Sequence, residues 1–156
     1  KILDVHLMIK PVLPFIEKFV ESGADIISFH PEIEKEPKKV IELIKNGGCK
    51  AGIAIHPNTK IEQFADLMEI IDLVIVMTVV PGFGGQKFLY DQTYKIKALK
   101  EIRKQKSLDF EIEVDGGINA ETGKICVDNG ADILVAGSYI YGSSKLNYKQ
   151  LINSLR

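Results

Sequence analysis

The sequence has little to offer several classes of protein. Lysine and arginine number 20 against 21 acidic residues, so the net charge is −1 and the basic footprint of a nucleic-acid or membrane-surface protein is missing. No apolar run approaches the ~20 residues that cross a bilayer, and no basic, apolar, small-residue leader stands among these residues. The two cysteines, Cys49 and Cys126, lie far apart with no metal or redox spacing around them. They read as reduced thiols, which points to a cytoplasmic protein. The chain opens at Lys1, inside what already reads as a strand. A preceding segment is therefore expected, and an organelle address within it is left open. Neither a linker nor a low-complexity segment interrupts the rest. What is present, 46% hydrophobic and 26% charged over 156 residues, suits one globular domain with a proper core.

The pattern that fills it is an alternation of strand and helix. Strands are predicted at 2–9, 24–30, 50–55, 72–80, 110–115 and 131–137. Helices are predicted between them. Two of these start on proline and end before glycine, as in "PFIEKFVESG" and "EPKKVIELIKNGG". A third begins where Thr59 and Glu62 have capping-box spacing. A longer one runs from about Phe88 to Lys106 with its lysines on a solvated face, another follows Asn119, and a last begins near Tyr148. Most strands are apolar on both faces, as in a parallel sheet covered by helices. Six such units complete a doubly wound sheet and fall short of an eightfold barrel of ~250 residues. No strand, however, is followed by the dinucleotide fingerprint a doubly wound sheet often carries.

Polar residues break the apolar runs at chosen places. Alternation along a strand puts Asp4, His6 and Met8 on one face, and likewise Glu111, Glu113 and Asp115. Two strands thus carry ligating groups toward their C-terminal ends, where α/β folds place their sites. His6 reads either as a hydrogen-bonded core histidine or as a ligand. Asp115 reads either as a cap before "GGIN" or as a site carboxylate. Together they offer one nitrogen and one oxygen to a divalent metal, with Glu113 one layer below as a possible acceptor for a ligating ring. His30 ends a strand and could face the pocket, whereas His56, before Pro57, reads as a solvated turn residue. Met8 and Met77 sit near strand ends and read as core filling or as a pocket floor.

Three loops are built alike: "PGFGG" with Gly82, Phe83, Gly84 and Gly85; "DGG" with Gly116 and Gly117; and "AGS" with Gly137 and Ser138. Each offers backbone N–H groups beside little side chain, the construction that binds anions. A single such loop is an ordinary turn. Three on successive units suggest a phosphate approached by main chain.

The blocks "DVHLMI", "GADIISFH", "KAGIAI", "PGFGGQKF", "VDGGIN" and "VAGS", in that order, resemble the ribulose-phosphate 3-epimerase family along nearly the whole chain. The resemblance implies a (β/α)8 TIM barrel of which this chain covers about six of eight units, strand 3 onward, as a single domain over 1–156 with the first two units absent. It implies interconversion of D-ribulose 5-phosphate and D-xylulose 5-phosphate in the pentose phosphate pathway, by two carboxylates acting on opposite faces. One divalent metal ion (Zn²⁺, Fe²⁺, Mn²⁺ or Co²⁺) is implied, held by His6, Asp115 and two ligands of the absent second strand. Asp115 is the implied catalytic residue. Substrate is implied at His6, Met8, Met77, Gly82, Phe83, Gly84, Gly85, Asp115, Gly116, Gly117, Gly137 and Ser138. The expected partners are a phosphorylated ketose and further copies of the chain in a homo-oligomer, with no nucleic acid and no membrane. A sibling epimerase acting on allulose 6-phosphate stays open, as does a non-catalytic phosphosugar-binding barrel if the six units are the true chain. The related decarboxylases need a lysine between aspartates at a strand end, which "DVHLMI" lacks.

Overall fold

A computed structural model describes residues 1–142 and 147–156. Six parallel strands form one sheet in sequence order: β1 (Asp4–Leu7), β2 (Ile26–Phe29), β3 (Lys50–Ile55), β4 (Leu73–Met77), β5 (Glu111–Asp115) and β6 (Ile133–Val135). Each strand pairs with its neighbour in sequence, and β1 and β6 form the edges. The helices are α1 (Ile16–Glu21), α2 (Pro37–Asn46), α3 (Thr93–Lys106), α4 (Ala120–Asn129), α5 (Gly137–Tyr141) and α6 (Tyr148–Asn153). The architecture is a parallel half-barrel. None of the helices among the described residues is long and apolar enough to cross a membrane.

Alternation divides the apolar residues between two faces. Ile27, Phe29, Ile53, Ile55, Val74, Val76, Ile112 and Val114 point outward and pack beneath the helices with Val40, Ile44, Ile96 and Leu99. Ile26, Ala54, Leu73, Ile75, Met77 and Val79 form a smaller cluster on the other face. That inner face also carries the polar residues of β1 and β5.

One device recurs where the strands begin. Asp25 accepts a hydrogen bond from the Leu3 N–H (2.7 Å), Asp72 from Ala51 (2.8 Å) and Asp132 from Ile112 (2.8 Å). In each case a carboxylate just before one strand satisfies the backbone of the preceding strand, so the amino-terminal rim is clasped from within.

The structure corrects three sequence-based expectations. The segment after Thr59 forms a 3-10 turn over Ile61–Phe64, without a side-chain cap. Its buried residues Ile61, Phe64 and Leu67 recur every three positions, the period of the tighter helix, and Leu67 and Ile70 bond three residues back. The long helix starts at Thr93 rather than near Phe88, because the Leu89 N–H bonds the Thr78 carbonyl (2.8 Å) and holds the segment against the end of β4. Lys95 is not on the solvated face. It is fully buried and donates to the carbonyls of His56 (3.0 Å) and Pro57 (2.8 Å). Burial lowers its pKa, partly offset by the charges of Glu32, Asp91 and Glu62.

Candidate active site

The C-terminal ends of the strands hold most of the residues singled out from the sequence. A cavity of about 230 Å³ is lined by Met8, Met77, Gly82, Phe83, Gly84, Gly85, Asp115, Gly116, Gly117, Gly137 and Ser138. Met77 is buried in its floor, whereas Met8 stands half-exposed at the rim. A second cavity of about 440 Å³ shares Met8, Pro81 and Gly82 with the first and extends over His30, Glu32 and His56.

His6 is not among the residues lining the first cavity. It meets that cavity through Asp115, whose Oδ2 lies 3.9 Å from His6 Nδ1. Three strands separate β1 from β5 along the sheet, so this contact spans the concave face. One layer below, the Asp4 and Glu113 carboxyl groups act on each other across the same gap. Burial raises the Glu113 pKa to about 8, helped by the charge of Asp4, a hydrogen bond with Asp4, and the charges of Asp115 and Glu111. Glu113 is therefore engaged with Asp4. Among the described hydrogen bonds none links it to a histidine ring.

The cap reading of Asp115 does not hold. Asn119 caps α4, accepting from Glu121 and Thr122, with Thr122 completing a capping box. The Asp115 backbone is fixed instead by Thr78, whose buried hydroxyl donates to the carbonyls of Asp115 (3.1 Å) and Gly116 (2.6 Å). This leaves the Asp115 side chain free to face His6. Thr78 was missed from sequence, since a threonine in an apolar strand gives no signal of its own.

The glycines divide into two kinds. A Cβ on Gly116 would strike the Val79 backbone nitrogen at 2.8 Å, and one on Gly117 the Phe88 nitrogen at 2.7 Å. These two are glycine because neighbouring backbone leaves no room. Gly82, Gly84, Gly85 and Gly137 have nothing within 4 Å of a Cβ position. Their bareness opens space on the cavity side, and Gln86 steadies the loop of the first three by donating to the carbonyls of Val80 (2.6 Å) and Phe83 (2.8 Å).

His30 enters the site as well. It is buried, and its Nε2 lies 3.2 Å from His6 Nε2. Its Nδ1 lies 3.7 Å from Glu32 Oε2. The signal for it was present in "FHPE", an imidazole and a carboxylate two residues apart at a strand end. His56 behaves as the turn residue expected, its Nδ1 accepting from the Asn58 N–H (3.1 Å).

As a donor set, His6 Nδ1 and Asp115 Oδ2 face each other across a gap suited to two ligands of one borderline divalent ion. They supply two positions only: among the described residues no group of three or more potential ligands gathers.

Residues 1–141 match the ribulose-phosphate 3 epimerase family model. The chain is 44% identical over 155 residues to ribulose-phosphate 3-epimerase of Bacillus subtilis, covering 99% of this chain and 70% of that one. It is 37% identical over 154 residues to the enzyme of that name from Escherichia coli, covering 99% and 68%. Among solved structures, a tryptophan synthase complex from Pyrococcus furiosus superposes with a TM-score of 0.68 at 16% identity, over 99% of this chain and 64% of that one. A mutant alpha-subunit from the same organism gives 0.71 at 17%, over 99% and 65%. Likeness at that identity carries the barrel-like fold alone.

Proposed function

The chain belongs to the ribulose-phosphate 3 epimerase family, and from that premise we propose that it is an isomerase interconverting D-ribulose 5-phosphate and D-xylulose 5-phosphate. The observation that carries this reading is the opposition of His6 and Asp115 beside a cavity whose rim is bare glycine backbone. In this reading the six strands belong to an eight-stranded barrel, and closing it takes two further units between β6 and β1. The compartment is reducing and cytoplasmic, in keeping with two free buried cysteines, and the assembly is a homo-oligomer.

The chemistry needed is modest. A proton on the carbon beside a ketone is weakly acidic, and its removal leaves the electron pair on the ketone oxygen as an enediolate. A divalent ion held by His6 and Asp115 would, when bound, supply Lewis-acid stabilisation of that charge. The Asp115 carboxylate takes the proton from carbon 3 on one face, and a second acid on the other face returns one, which inverts the centre. Met77 forms an apolar floor that excludes water beneath the reacting carbons. The open glycines, Gly82, Gly84, Gly85 and Gly137, let main-chain N–H groups and Ser138 approach the phosphate. Gly116 and Gly117 set the angle at which Asp115 leaves β5.

Asp115→Asn tests the assignment. Turnover of D-ribulose 5-phosphate is expected to fall about 10³-fold, in the range for loss of a general acid–base group, with phosphosugar binding retained. Lost binding with residual epimerisation intact would overturn it. Rates measured beside allulose 6-phosphate set the preferred sugar length.

A further inference from the structure

We propose that Glu32 and His30 are positioning residues that act in series behind His6, fixing which ring nitrogen of His6 carries the proton. The inference rests on the reading of His6 as a ligand, and deepens it.

The two imidazoles approach through Nε2 atoms 3.2 Å apart. Neutral rings at that distance share one proton, so one ring donates and the other accepts. The two arrangements have different consequences at the far side of each ring. If His6 donates, its Nδ1 turns a lone pair toward Asp115 Oδ2, 3.9 Å away. Two acceptors then face each other, an arrangement that suits a cation between them. If His30 donates instead, His6 Nδ1 carries the hydrogen and points it at Asp115, which closes the gap to a cation.

Glu32 decides between them. Its Oε1 accepts from the His56 N–H (2.8 Å), and the loop bearing His56 is in turn pinned by buried Lys95. Its buried Oε2 has no hydrogen-bond partner, and the nearest ring nitrogen is His30 Nδ1 at 3.7 Å. Burial pushes the Glu32 pKa up, but the nearby His30 ring, the backbone N–H groups of His56 and Glu32 and the Thr59 side chain together outweigh it, and the net shift is downward. An ionised oxygen there favours a hydrogen, not a lone pair, on His30 Nδ1. His30 Nε2 must then accept, His6 Nε2 must donate, and His6 Nδ1 is left as the ligating atom. Ligating histidines commonly give their other N–H to a carboxylate; here the carboxylate acts through a second ring.

Ring-nitrogen NMR of the full, metal-free protein at mildly alkaline pH reads the relay directly. The wild type is expected to hold hydrogen on His6 Nε2 and His30 Nδ1. Glu32→Gln keeps an acceptor for His56 and can place an NH₂ opposite His30. It is expected to reverse both tautomers and to weaken Zn²⁺ binding, measured calorimetrically, by about 10- to 100-fold. Glu32→Asp keeps the charge and is expected to retain the wild-type pattern. His30→Gln cuts the same relay one link later; adding Glu32→Gln to it should weaken Zn²⁺ binding no further. Unchanged ring-nitrogen shifts in Glu32→Gln, or additive losses in the double variant, would overturn the proposal. Should the wild type bind no Zn²⁺, the ligand reading of His6 fails, while the tautomers still decide the relay.

Discussion

Aspartate serves both rims of the sheet, in opposite ways. At the amino-terminal rim Asp25, Asp72 and Asp132 turn their carboxylates onto the backbone of the adjoining strand. Asp72 and Asp132 also pair with Lys45 of α2 and Arg103 of α3, so these carboxylates are spent on holding the fold together. At the carboxyl-terminal rim the bonding to Asp115 falls on its backbone carbonyl, which accepts from the Thr78 hydroxyl and N–H. Its side chain stays uncommitted and faces His6. A residue type common to both ends thus supports stability at one and chemistry at the other, and what separates the two uses is whether the carboxylate has a backbone donor within reach. Rigid clasps at the bottom let the top hold a partly unsatisfied group in place.

The contrast can be broken in several ways, and the strongest lies between the rims. Burial, aided by the Asp4 charge, pushes the Glu113 pKa up to about 8 from an ordinary value of 4.5. Between those values the folded protein holds a proton that the unfolded chain has lost. The contribution of Glu113 is therefore fully present below about 4.5 and declines as pH rises toward 8, at up to about 1.4 kcal/mol per pH unit. Urea titrations of the metal-free protein across this window should show the decline, and Glu113→Gln should flatten it. A wild-type stability that rises over the same interval would refute the assignment. Next in size is Lys95→Met, which removes the ammonium from two carbonyls and should cost about 2 kcal/mol. Chemical denaturation reads the loss, and activity should fall with it because the loop bearing His56 loses its anchor. Smallest is Asp72→Ala. Its lost clasp should lower stability by about 1 kcal/mol while kcat stays at the wild-type level, the mirror image of Asp115→Asn. If Asp72→Ala lowers kcat with stability unchanged, the division of labour between the rims is wrong.

The sequence made the strands legible because a buried parallel strand is apolar on both faces, so each run stood out whole. Strand β3 matches its predicted 50–55 span; β1 is shorter than 2–9 because the inner face loses its apolar neighbours beyond Leu7, where Met8 and Ile9 are exposed. Helices were legible where proline and glycine punctuate them. The segment after Thr59 was not, since a three-residue period and a helical one look alike over so few residues. Lys95 carried a signal that its charge concealed: Gln92, Lys95, Ile96 and Leu99 form one buried stripe at helical spacing. His6 and Asp115 could be named from alternation and chain order, but that they face each other depends on sheet curvature, which no local pattern encodes. His30 and Glu32 matter only through that same curvature.

The meeting of β1 with β5 also bears on how the protein comes into being. Asp115 is made only after three further strands have followed His6. Contacts so distant along the chain form late and slowly. Until β5 docks, His6 therefore stands without the carboxylate it faces. No assembly that lacks β5 possesses this pair, so competence waits on the docking of that strand.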